Sequence, residues 1–306
     1  MSAFVAFVAL ALVKATPLIF AALAGVICER AGILNIALEG GLTAGAFAGV
    51  VATNVSGNPY VGVAAGLLAG ALVCGTLGIA ATRFGVDQIV AGIGINLVTT
   101  GAAAYALVVI FHSPGASPEV RGLGPIGAAL LVLGAFAAAI AMHVALGSSA
   151  WGLRLRACGE NPRAVLAAGI DPRRVRVVAT LIGGGLTGLG GAYLSLGELD
   201  LYSDGMTGGR GYIALAAVIF GRWTPLGATG AALVFGALSA LQFVLQRTGI
   251  PSELMAALPY LAALAALAGI GGVARAPAAD GIPFDGVGTR NIGDVPNVGR
   301  SRRRCD

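Results

Sequence analysis

Ionisable and amide side chains set inside long apolar runs are the residues of this sequence whose types could do chemistry. Glu29, Arg30, Asn35 and Glu39 fall within eleven residues. In a helical register Asn35 and Glu39 are four apart and share a face. An amide and a carboxylate on one face could line a polar passage. Gly40 and Gly41 beside them would tolerate a broken helix, a device of transport sites. Glu29 and Arg30 suit either that passage or the headgroup level. Asn96, preceded by Gly92 and Gly94, is a second candidate for the passage. Its amide could equally bond a neighbouring helix. Gln242 and Gln246 are lesser instances.

Catalysis finds little support. The chain has 2 histidines, His112 and His143, and neither adjoins a nucleophile or a metal-ligand cluster. Cys28, Cys74, Cys158 and Cys305 are isolated, so neither a disulfide framework nor a metal site is indicated. No G-x-x-x-x-G-K-[ST] occurs, and Lys14 is the only lysine, which excludes a P-loop of that form. If ATP is used, another chain binds it, and no cofactor is expected here.

The elements that carry these residues are membrane helices. Hydrophobic residues make up 57% of the chain and charged ones 11%, against about 25% charged in soluble domains. So little charge cannot cover a globular surface in water. The net charge of +5 is no nucleic-acid signal, because the arginines gather in loops and the tail. Met1 to Val13 lacks the basic start and cleavage site of a signal peptide.

Apolar runs follow at 4–28, 31–52, 60–81, 88–111, 123–146, 177–197, 206–221, 226–246 and 252–272. All but 206–221 reach the roughly 20 residues needed to cross a bilayer. With the arginine-rich stretch 152–176 inside, parity places Glu29-Arg30, Arg83 and Arg222 inside as well, and 53–59, 112–122 and Glu198 to Asp204 outside. That parity favours about nine crossings (8–10), with 206–221 stretched or broken; Lys14 could mark a split first segment. Glycines four apart, at 41/45/49, 62/66/70 and 184/188, read as close helix packing. Residues 1–272 form the transmembrane domain. Residues 273–306, rich in Pro, Gly and Asp and closed by Arg302 to Arg304, read as a cytoplasmic and mostly disordered tail.

The stretch 152–176 is the longest polar interruption. Arg154, Arg156, Arg163, Arg173, Arg174 and Arg176 face only Glu160 and Asp171. Inside it Asn161 suits an N-cap, Pro162 the first helical position and Gly169 a C-terminal stop. A capped helix of about two turns between spans could lie across another protein, or the loop could merely fix topology.

Four ordered blocks carry a resemblance: ERAGILNIALEGGLTAGAFAG at 29–49, FGVDQIVAGIGIN at 84–96, GLRLRACGENPRAVLAAGID at 152–171 and GGRGYIALAAVIFGRWTPLGA at 208–228. They resemble permease subunits of ABC importers for nucleosides and simple sugars, within the ribose and branched-chain amino-acid permease group. The resemblance implies an all-α permease fold, no catalysis and a prokaryotic plasma-membrane location. It implies as partners a second, non-identical permease, a cytoplasmic ABC ATPase and a substrate-binding lipoprotein of the basic-membrane-protein type. The loop helix of such permeases docks on the ATPase, a role that maps onto Arg154, Arg156, Gly159, Glu160, Asn161, Pro162, Arg163, Gly169 and Asp171. Asn35, Glu39 and Asn96 are the candidates for the translocation path. The rival reading is an ion-coupled secondary transporter with Glu39 as its ion site; such a carrier has no use for a docking helix.

Overall fold

The computed structural model describes residues 3–245, 261 and 275–284. The expected run 252–272, apart from Leu261, and the tail beyond Phe284 lie outside the described residues. The described chain is helical: α1 Ala3–Arg30, α2 Leu38–Ser56, α3 Pro59–Arg83, α4 Gln88–Phe111, α5 Gly124–Ser148, α6 Ala150–Glu160, α7 Pro162–Ala167, α8 Pro172–Tyr193, α9 Arg210–Phe220 and α10 Pro225–Leu245. A π-helical turn, Leu194–Leu199, prolongs α8.

Among the described residues six helical segments are long and apolar enough to cross a membrane: α1, α3, α4, α5, α8 with its π-turn, and α10. The 19-residue α2 runs beside α3 and α8, and α9 is only 11 residues long. Lys14 does not divide the first run, because α1 continues through it and through Pro17. Its ammonium pairs with Glu198 of the π-turn and lies 4.9 Å from the Phe243 ring centroid. A charge at such depth is tolerable when paired within the protein.

The spaced glycines build the centre of the fold. A Cβ on Gly45 would strike the backbone of Gly188, and one on Gly70 the backbone of Gly184 and Gly188. α2, α3 and α8 therefore meet backbone to backbone, the packing expected where lipid supplies no hydrophobic drive between helices. A second apolar cluster wraps α1 with Phe20, Leu23 and Ile27 against Ala214, Val218 and Phe235.

The two ends differ. At one end Arg30 Nε donates to Trp223 O at 2.7 Å, Gly159 abuts Arg30 O, and Gly78 abuts Thr180. The ends of α1, α3, α6, α8 and α9 thus gather their arginines on one side, as parity expects. At the other end residues 115–123 are stitched to 196–204: Ala116 bridges Ser203, Val120 N donates to Asp200 O at 2.8 Å and Asp204 N to Gly115 O at 2.8 Å. Tyr202 is enclosed there, and burial pushes its phenol up to about 12.

Candidate functional site

The second run is not helical from its start. Residues 31–37 are irregular and the helix opens at Leu38. Asn35 and Glu39 therefore do not share a helix face, and the break precedes Gly40 and Gly41 instead of falling on them. Non-helical backbone in a membrane must find hydrogen-bond partners inside the protein. One stripe of α4 supplies them. Gln88 Oε1 accepts from Leu34 N at 2.7 Å, Gly92 lets Ile36 press against the helix, and Asn96 Nδ2 donates to Ile36 O at 2.9 Å. Asn96 Oδ1 then accepts from Gly40 N at 2.8 Å, satisfying a first-turn donor of α2.

Glu39 ties in the half-helix. Its Oε1 accepts from Gly209 N at 2.9 Å and its Oε2 from Gly211 N at 2.7 Å. Gly209 has φ 75°, a left-handed conformation that glycine adopts without steric cost. Eleven residues make α9 about 16 Å long, roughly half of a ~30 Å hydrocarbon core. The expected stretched crossing at 206–221 is thus a half-length helix preceded by glycine turns. Its N-terminus and that of α2 converge, both carrying partial positive charge, and the Glu39 carboxylate lies between them. Arg210 does not pair with Glu39; its Nη1 donates to Met206 O at 2.6 Å and Thr207 O at 3.2 Å.

Asn96 Nδ2 also reaches the Tyr212 hydroxyl at 3.1 Å. Tyr212 is 45% exposed and turns its ring outward from α9. Asn96 itself is buried and Glu39 half-buried. The structure thus brings Glu39 and Asn96 together, but as supports for backbone more than as a polar lining. Asn35 stands apart: it is fully buried, Nδ2 donates to Cys28 Sγ at 3.4 Å, and Oδ1 has no partner. It does not reach the surface that carries Tyr212. Gln88 and Tyr212 were missed by sequence reasoning. The i, i+4, i+8 stripe of Gln88, Gly92 and Asn96 was the available signal for Gln88.

The coupling end holds the capped helix at the expected place. Asn161 Oδ1 accepts from Ala164 N at 3.1 Å, Pro162 opens α7, and Gly169 closes it with φ 79°. Only Val165 of α7 is buried, and Leu166 is 46% exposed. The polar stretch is more helical than the sequence suggests, since α6 fills 150–160. Ser149 Oγ caps α6 through Gly152 N at 2.9 Å, and Asp171 Oδ1 caps α8 through Arg173 N at 2.9 Å. Arg154, Glu160, Asn161 and Arg163 are exposed, whereas Arg156 turns inward and its buried Nε has no partner. Gly159 is closed in against Arg30 O.

Arg176 was not among the candidates, yet it is fully buried and joins three segments. Its Nε donates to Ala31 O at 3.1 Å, Nη1 to Ile282 O at 3.1 Å and Nη2 to Ala279 O at 3.3 Å. Residues 275–284 of the tail are thereby strapped to the coupling end, helped by Ala279 N to Gly159 O at 2.8 Å and Ala278 N to Glu160 Oε2 at 3.4 Å. Burial pushes the Asp280 carboxyl up to about 7, against the opposing pull of the Gly281 N–H and Arg176. Among the described residues no group of three or more His, Cys, Asp or Glu could hold a metal.

Comparison with known proteins places these features in a family. The family described as branched-chain amino acid transport system / permease component matches residues 7–267. The guanosine ABC transporter permease protein NupQ of Bacillus subtilis is 35% identical, over 89% of this chain and 94% of its own length. The nucleoside ABC transporter permease protein NupC of Lactococcus lactis subsp. cremoris is 34% identical over the same shares, 89% and 94%. The putative glucose ABC transporter permease protein TsgC13 of Haloferax volcanii is 33% identical over 74% of each chain. No solved structure matches significantly.

Proposed function

The chain belongs to the permease-component family of branched-chain amino acid transport systems, and from that premise we propose that it forms the translocation path of an ABC importer for nucleosides. It is a multi-pass cell-membrane protein and a transport component rather than an enzyme. ATP is bound by a separate ABC ATPase, and an external binding lipoprotein delivers the substrate. The nucleoside assignment rests on the names of the two relatives that cover most of the chain. Simple sugars are the second reading, favoured by the glucose-permease relative.

The observation that carries the coupling role is α7. It is capped at both ends, buries one side chain and turns Leu166 outward at the arginine-rich end. A rigid helix set this way can pass closure of an ATPase dimer to the spans as rigid-body motion. Arg176 extends the connection, since one side chain links α8, the 31–37 link and the tail strap. At mid-membrane the broken segments held by Glu39 and Asn96 are the parts placed to move with substrate. Tyr212 is exposed on this half-length helix with its hydroxyl tied to Asn96, and in this reading its face meets the path, with a second, non-identical permease across it.

The test is co-purification from native membranes followed by uptake in vesicles. An ATPase and a second permease are expected to accompany the chain, and guanosine uptake is expected to require ATP. The double variant Glu160→Arg, Arg163→Glu should keep the protein in the membrane and uncouple hydrolysis from uptake. Nucleoside uptake by the chain alone under an ion gradient, without ATP, would sink this reading in favour of a secondary transporter centred on Glu39.

A further inference from the structure

Where the coupling ends of α1, α5 and α6 meet the α9–α10 turn there is a cleft lined by Arg30, His143, Arg156, Trp223 and Thr224. No residue of α7 lines it, so it is separate from the docking helix. Its charge is one-sided. Arg30 and Arg156 are close enough to repel each other, and Arg30 feels Glu160 without forming an ion pair with it. The Lys14–Glu198 and Asp171–Arg174 ion pairs leave both cleft arginines out, and neither is matched by a carboxylate at contact. Arg30 spends Nε on Trp223 O at 2.7 Å, and Arg156 Nε is buried without a partner. Glu29, behind the cleft, is buried and accepts the Trp223 indole N–H. α10 begins at Pro225 on the same wall, and the positive end of its dipole adds to the arginines.

Two half-buried guanidinium groups side by side, with a helix N-terminus and no carboxylate in ion-pair contact, are complementary to an anion. The surroundings say which. The cleft lies at the arginine-rich ends of the spans, at headgroup level, with Trp223 beside it. From its mouth the outward faces of α5 and α10 continue as apolar surface, with Ile140 60%, Val144 57% and Leu226 47% exposed. A phosphate with acyl chains uses both parts of this surface; a free phosphate uses only the first. We infer that the cleft binds the phosphate of an anionic phospholipid from the cytoplasmic leaflet.

The chain has 2 tryptophans, so Trp151→Phe leaves Trp223 as the reporter. The full chain is placed in phosphatidylcholine nanodiscs containing a small, fixed fraction of brominated lipid, either phosphatidylglycerol or phosphatidylcholine. Trp223 quenching should be stronger with brominated phosphatidylglycerol. Arg156→Gln should weaken that preference roughly fivefold, the size expected of one basic side chain at an anionic surface. Arg156→Gln removes no hydrogen bond found among the described residues, so it tests the site even if Arg30→Gln, which loses the Trp223 carbonyl, fails to fold. Equal quenching by the two lipids, or an unchanged preference in Arg156→Gln, would overturn the site. Abolition of the preference by millimolar inorganic phosphate would overturn the lipid assignment and leave a soluble-anion site.

Discussion

Inside the helix bundle, three side chains reach backbone rather than one another: Gln88 and, a further two turns along α4, Asn96 hold the 31–37 link and the start of α2, and Glu39 holds the start of α9. At the coupling end α7 is satisfied by its own caps and by Gly169, and turns most of its surface outward. The difference follows from the solvent. Where lipid offers no hydrogen bonds, every break in a helix must be matched by a polar side chain from a neighbour. Where water is present the same groups need no such help, and the surface is left for a partner. The first region is therefore the one that fails when a single amide is lost; the second fails only when its partner is asked to respond.

Asn96→Ala should separate the two most sharply. It strands Gly40 N and Ile36 O in the membrane interior, at about 1–3 kcal/mol for each unsatisfied group. That is a large fraction of a marginal fold, so folded protein in the membrane and the melting midpoint in detergent should both fall steeply. The matching change at the other end, Asn161→Ala, removes an N-cap for about 1 kcal/mol. It should leave the melting midpoint nearly unchanged and reduce ATP-coupled uptake. If the two variants melt alike, the contrast between the regions is wrong.

Glu39→Gln comes next in size. One amide oxygen can still accept a backbone N–H, but the amide nitrogen then faces a second donor, and two converging helix N-termini lose their negative charge. Uptake should drop several-fold at roughly normal membrane levels of protein. Normal uptake would reduce Glu39 to a packing residue.

The tail offers a paired test of the coupling end. Removing the chain from Asp285 onward should leave uptake intact. Removing it from Arg275 onward takes away Ala279 O and Ile282 O, two of the three backbone carbonyls that Arg176 holds, and leaves Ala31 O. Charged hydrogen bonds of this type are worth roughly 1.5–3 kcal/mol. The longer deletion should therefore lower the melting midpoint and the number of nucleosides moved per ATP, measured side by side.

Much of the architecture was legible because membrane helices announce themselves by length and apolar content, and the glycine spacings marked the α2–α3–α8 core. The caps of α7 were equally readable, since Asn161, Pro162 and Gly169 act through local geometry. The path residues were harder. Placing Asn35 on a face with Glu39 assumed that the apolar run was helical from its start, and hydrophobicity cannot distinguish a buried irregular link from a helix. Gln88 looked like a helix start and not a clamp, because its partner, Leu34 N, is 54 residues away in sequence. Arg176 read as one more loop arginine. Its burial depends on the tail folding back, which no local pattern specifies.

The smallest expected effect lies in that fold-back. Burial raises the Asp280 carboxyl from 3.8 to about 7, and its Oδ1 has no hydrogen-bond partner. A raised folded-state pKa means that docking takes up a proton. Below about pH 4 the group is neutral whether the strap is docked or free, and docking is at its strongest. As pH rises from there through about 7 the free strap ionises more easily than the docked one, and docking weakens, levelling off above. Amide hydrogen exchange at Ala278 to Ile282, corrected for the intrinsic pH dependence of exchange, should therefore show less protection at pH 8 than at pH 6. Asp280→Asn should remove this pH dependence while keeping Ala279 N on Gly159 O. If the variant retains the slope, the sensitivity comes from another group, and Arg176 with its two carbonyls holds the strap without regard to Asp280.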